Sequence, residues 1–257
     1  MTFFTAMGYY GYGYGYPGFG FYWDPTLIFV IVGAVISMWA SGRVQSTFAK
    51  YSRMGSMSRM TGAETARRIL DSQGLYHVQV RSVSGNLTDH YDPRTKTVNL
   101  SQSVYGSTSV ASIGVAAHEC GHAVQDAQAY APLNIRSALV PVANIGCKLS
   151  WPIILIGLLL GMTPFLHLGI ILFSLSVLFQ LITLPVEYNA SSRAVSLLGQ
   201  LGILQGNEVG AARKVLNAAA LTYVAAAAAT ILQLLRLIIL FGGRNRDWYG
   251  EYTGSGT

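Results

Sequence analysis

Residues 149–186 read LSWPIILIGLLLGMTPFLHLGIILFSLSVLFQLITLPV, 38 consecutive positions without Asp, Glu, Lys or Arg. A straight helix of that length would measure about 57 Å, nearly twice a hydrocarbon core of about 30 Å. Gly161, Met162, Thr163 and Pro164 supply a turn about a third of the way along. The stretch therefore predicts a transmembrane helical hairpin whose first arm begins before Lys148. The lone His167 then lies near the turn, at the far interface.

The rest of the composition agrees with a membrane protein. Of the 257 residues, 51% are hydrophobic and only 11% charged, and mean hydropathy is +0.40. Soluble domains carry about 25% charged residues, so an ordinary cytosolic enzyme and a disordered chain are both excluded. Residues 25–42 are uncharged and long enough for a first span, and Arg43, Lys50, Arg53 and Arg59 follow it. A further apolar stretch, residues 215–241, is rich in alanine. It reads either as a close-packed membrane helix or as a buried helix of the polar domain. Fourteen of the seventeen Lys and Arg lie between residues 43 and 217. By the positive-inside rule, that material faces the cytoplasm.

The ends say less. Residues 1–24 alternate glycine with aromatics and lack Lys and Arg, so no signal peptide is expected. They read as a flexible tail or as an interfacial anchor. Residues 242–257 form a C-terminal tail. Two cysteines, Cys120 and Cys147, are too few for a disulfide framework. The net charge of +6 is spread over juxtamembrane segments without a recognition motif, so nucleic acid is not an expected partner.

Residues 43–148 form the long polar stretch, with eleven Lys/Arg against six Asp/Glu. Gly62–Gly74 reads as an amphipathic helix presenting Ala66, Ile69 and Leu70 on one face. YHVQVRSV alternates like a strand, and NLTDHYDPRTKTVNLS reads as a hairpin turning at Asp92 and Pro93. The segment Thr95–Leu100 is either an edge available to an added peptide strand or a strand paired on both sides. Residues 107–130 carry apolar side chains at helical spacing.

Within that last segment lies His118-Glu119-Cys120-Gly121-His122. On a helix, side chains four apart share a face, so both imidazoles can reach one ion. Zn2+ accepts imidazole nitrogen and in catalytic sites keeps one position open. Glu119 adjoins the first ligand and suits a general base. Cys120 points off the histidine face and reads as a small buried thiol. Cys147 carries no expected chemistry. Asp126, four residues after His122, can bond a ligand or a neighbour.

A third protein ligand is required. Glu187 is the sole acid between Asp126 and Glu208 and stands at the edge of the hairpin. A carboxylate there is expensive unless paired or ligated. It is a metal ligand or an interfacial charge; His77, His90 and Glu208 are the other candidates.

HECGHAVQ followed by LPVEYNASSRAV resembles the YugP-type neutral zinc metallopeptidases, a bacterial family of membrane-bound proteases. The resemblance covers most of the chain. The pattern is also similar to HtpX-like membrane proteases, in which a glutamate on a later helix is the third zinc ligand. An aspartate four residues further on supports the site in those proteins. The resemblance implies that Glu187 is that ligand. Position 191 is serine here, leaving Asn189 and Ser191 as the polar groups able to orient a ligand. For the oxyanion, His77, His90, Tyr188 and Arg193 are candidates; Arg193 reads equally as an ion-pair residue.

The expected fold is mainly α with a small β element: an integral membrane, zincin-like metallopeptidase with about four membrane-associated helices. Its regions are a span at 25–42, a catalytic region at 43–148, the hairpin at 149–186, a third-ligand helix region at 187–214 and the apolar helix at 215–241. The expected activity is zinc-dependent hydrolysis of a peptide or protein substrate at the cytoplasmic face of a bacterial plasma membrane, with the lipid bilayer as the other partner. Nothing in the sequence specifies an oligomeric state. The competing reading is an inactive zinc-binding scaffold or chaperone-like partner, which would not need Glu119. A small transporter would need ionisable groups within its spans, and only His167 and Arg236 qualify.

Overall fold

A computed structural model describes residues 24–242, so both tails fall outside the described residues apart from Asp24 and Gly242. The chain is mostly helical with one small sheet. In order it forms α1 (Leu27–Ser52), α2 (Gly62–Ser72), β1 (Gln79–Val83), β2 (His90–Asp92) and β3 (Thr97–Ser101). There follow α3 (Gln102–Tyr105), α4 (Val110–Ala127), α5 (Ala131–Leu160), α6 (Thr163–Gln200) and α7 (Asn207–Phe241).

Four helices, α1, α5, α6 and α7, are long and apolar enough to cross a membrane. Large side chains such as Ile31, Met38, Trp39, Leu159 and Ile171 stand exposed along them. Apolar surface on that scale needs lipid to cover it. Gly161, at φ 65° and ψ 21°, ends α5 in the left-handed region, and α6 starts two residues later at Thr163.

α6 runs unbroken for 38 residues, through Pro185 and past Glu187. Its length of about 57 Å exceeds one bilayer. Its second half therefore leaves the membrane and becomes the core of the polar domain, burying Ala190, Ala194 and Leu198. α7 mirrors it, with Ala211, Ala212 and Leu216 buried near its start and its apolar half following. α1 likewise continues past residue 42 to Ser52. The carboxylate at 187 marks a change of solvent, not of backbone; the chain turns only at residues 201–206, where Gly202 and Gly206 take positive φ.

α1 and α7 are antiparallel partners. Arg236 Nη2 donates to Asp24 Oδ2 at 2.8 Å, a Cβ on Gly33 would lie 3.2 Å from Ala229, and Val44 and Phe48 share a cavity with Val215 and Ala219.

The polar core is built around α4, which is buried along most of its length. α2 covers it with Ala66, Ile69 and Leu70, each fully buried. Thr61 and Glu64 form a reciprocal capping box at its start. The sheet order is β1-β3-β2, with β1 parallel and β2 antiparallel to β3. β3 is therefore the central strand and offers no free edge, which removes Thr95–Leu100 as a docking edge for substrate. The edge facing the site region is β2, with His90 paired to Asn99 and Tyr91 to Val98.

One glycine sets the spacing of the core. A Cβ at Gly121 would meet the Ala190 carbonyl oxygen at 2.6 Å, so α4 and α6 touch backbone to backbone there. Gly121→Ala is expected to force the two helices apart and destabilise the protein by about 1–3 kcal/mol. Thermal unfolding in detergent would register this as a lower Tm than that of the parent chain.

Candidate metal centre

His118 and His122 lie one turn apart on α4, and Glu187 faces them from α6. The two Nε2 atoms are 3.2 Å apart. Glu187 Oε2 lies 3.2 Å from His118 Nε2 and 3.5 Å from His122 Nε2. A tetrahedral zinc with ligands at about 2.0–2.1 Å spaces its donors about 3.3 Å apart. The three donors thus have the spacing that such an ion demands. Two imidazole nitrogens and one carboxylate oxygen also form a donor set that suits zinc.

The other ring nitrogens are held. His118 Nδ1 lies 3.1 Å from Ser191 Oγ, and His122 Nδ1 lies 3.0 Å from Gln125 Oε1. Gln125 cannot turn freely, because its Nε2 donates to the Val186 carbonyl and to Asn189 Oδ1, both at 2.9 Å. Its amide oxygen is thereby presented to the ring. When each Nδ1 carries the proton, both Nε2 lone pairs face Glu187. Burial disfavours a charged His122. The hydrogen bond to Glu187 and the nearby Glu119 charge outweigh it, so the imidazole sits above its usual pKa.

Glu187 is almost fully buried. Its second oxygen, Oε1, lies 3.4 Å from Arg136 Nη1 on α5. This guanidinium balances a carboxylate that would be costly alone in an apolar surround. Glu119, also buried, lines both cavities that reach the centre. One, of about 160 Å3, is largely apolar, with Val44, Phe48, Val215 and Ala219 in its wall. The other, of about 290 Å3, includes His90, Tyr91, Arg136 and Ser137. Asp89 and Tyr223 border both.

The remaining candidates fall elsewhere. His77 is exposed in the turn before β1 and lines neither cavity. His90 borders the polar cavity, where its Nε2 meets Asn99 Nδ2 at 3.2 Å. Asn189 supports Gln125, and Arg193 is tied down by Asn189 Oδ1 at 2.7 Å and Gln128 Oε1 at 2.6 Å. Arg193 is thus a brace one residue further back, not a group facing the centre. Tyr188 is exposed and lines neither of these two cavities. Glu208 accepts from the Met57 and Gln205 amides at the start of α7. Asp126 accepts from Tyr91 Oη and Lys96 Nζ, both at 2.6 Å, and not from a histidine. Cys120 is buried and free, its thiol pushed up by burial. Cys147 is free and exposed.

Gln125, Arg136 and Tyr223 escape the sequence reading. Gln125 is three residues after His122, on the ligand face, but Asp126 competes for that role and only the position of α6 separates them. Arg136 is the sole charge between Asp126 and Lys148; the lone-charge argument used for Glu187 applies to it equally. Gln125→Leu removes the acceptor for His122 Nδ1 and the brace to α6. Zinc affinity is expected to fall about 10–100-fold, read by competition with a chromogenic chelator.

The family described as "Putative neutral zinc metallopeptidase" matches residues 26–242. A Bacillus subtilis (strain 168) protein named "Putative membrane protease YugP" is 49% identical over 222 residues, covering 86% of this chain and 99% of its own length. No solved structure matches. With four membrane-length helices and a zinc-type donor set in place, the chain belongs to the neutral zinc metallopeptidase family, whose cofactor is zinc.

Proposed function

We propose that the chain is a multi-pass endopeptidase of the bacterial plasma membrane, cutting a peptide or protein substrate at the cytoplasmic face. The observation that carries the reading is the set of three donors at tetrahedral spacing with Glu119 beside them, on a cleft open to two cavities. His118, His122 and Glu187 are the zinc ligands. Zinc, when bound, supplies Lewis acidity that polarises a peptide carbonyl and lowers the pKa of water toward about 7.

The protein's own groups do the rest. Glu119 accepts the proton of the attacking water and delivers it to the leaving amine. Arg136 and Tyr223 border the same space and carry N–H and O–H donors for the developing oxyanion. Ser191 and Gln125 hold the two rings in register. The β2 edge offers backbone groups to an extended substrate beside the polar cavity.

The cytoplasmic orientation rests on charge and depth. Most Lys and Arg lie on the polar-domain side. From Tyr223, at the centre, to Phe241 α7 rises about 27 Å, close to one hydrocarbon thickness. The centre therefore sits at one membrane interface.

Glu119→Gln is expected to keep stoichiometric zinc and lose about 10²–10⁴-fold in cleavage rate, measured on casein in detergent with metal content determined in parallel. Undiminished cleavage would sink the mechanism. Glu187→Ala is expected to lose most of its zinc by elemental analysis; full retention would remove Glu187 from the ligand set.

A further inference from the structure

A separate cavity of about 730 Å3 opens on the polar-domain side of the spans, where α1, α6 and α7 leave the apolar layer. Its walls include Arg43, Lys50 and Tyr51 of α1, Lys214 and Asn217 of α7, and Tyr188 of α6. Arg43 and Lys50 are two helical turns apart, and Lys214 and Asn217 one turn apart, so each pair shares a face. No Asp or Glu lines the space.

Among the described residues, none of these three cations pairs with a carboxylate, a state they share with Arg53, Arg59 and Arg213; what sets them apart is that all three line one concavity. The Lys50 ammonium is held 5.5 Å from the centroid of the Tyr51 ring. Three like charges around one concavity repel one another, and an anion between them reverses the sign of that interaction. A lysine spread set only by the positive-inside rule would not need to converge on a cavity.

Depth identifies the source of the anion. Arg43 stands where α1 loses its apolar character. Lys50 lies about 10 Å further out along α1, as Lys214 does from the lining residue Leu221 along α7. That interval begins at the hydrocarbon edge and runs out through the headgroup layer. No acid lines the space to pair with a choline or ethanolamine cation, and the Tyr51 ring already faces the Lys50 ammonium.

We propose that this cavity is a binding site for the phosphate of an anionic phospholipid. Arg43, Lys50 and Lys214 surround the phosphate, and Asn217 and the tyrosine hydroxyls donate to its oxygens. Tyr188 follows the metal-facing Glu187 directly, so the occupied site braces the helix that carries that carboxylate. The assignment stands apart from the peptidase reading.

The test uses the full chain in neutral detergent, with native mass spectrometry reading retained phosphatidylglycerol against phosphatidylcholine. Phosphatidylglycerol is expected to be retained at least tenfold more. Lys50→Gln combined with Lys214→Gln should abolish that preference, whereas Arg53→Gln with Arg59→Gln, outside the cavity, should preserve it. Equal loss in both double variants means diffuse juxtamembrane attraction and overturns the site, as does undiminished retention in the first. Displacement of the lipid by millimolar inorganic phosphate would overturn the lipid as the source in favour of a soluble anion. Arg43→Gln alone, with Tm checked, keeps the test readable if the double variant fails to fold.

Discussion

Everything in this molecule is subordinate to the backbone contact between α4 and α6. Gly121 against the Ala190 carbonyl brings two helices closer than any side chain would permit. Only at that separation do imidazoles on one helix meet a carboxylate on the other at 3.2–3.5 Å. The glycine inside the HECGH sequence thus serves geometry, while its neighbours serve chemistry. Ser191 and Gln125 reach across the same seam, so the contact that positions the donors also fixes the rings.

The same seam explains how membrane and polar domain are joined. α1, α6 and α7 cross from one to the other without a break. The apolar halves face outward, as lipid requires, and the polar-side halves bury alanine and leucine against α4. No linker separates the parts. The wall of the candidate metal centre is an extension of the apolar helices themselves, and Arg136 of α5 completes it.

Much of this is legible in the sequence, and the failures have physical causes. The charge-free run at 149–186 and its glycine turn give the hairpin, since lipid tolerates few alternatives. The i, i+4 spacing puts both imidazoles on one helix face directly. What composition cannot give is where a helix stops, because Glu187 and residue 215 mark changes of surroundings that leave the backbone helical. Nor can it give strand order: β3 is central because β1 crosses over to pair on its far side, a fact that alternation within Thr95–Leu100 does not encode. The supporting groups around the histidines lie beyond reach for a similar reason. Whether Gln125 or Asp126 serves His122 depends on which one α6 approaches, and Asp126 is drawn away by Tyr91 and Lys96.

The two imidazoles precede the α5–α6 hairpin in the chain and the carboxylate lies within its second helix. Any continuous piece of chain that contains both imidazoles and the carboxylate must also contain the two arms of α5 and α6 up to that residue. No water-soluble fragment can assemble the set. The donors can meet only once the chain has passed through both arms and α6 has returned alongside α4.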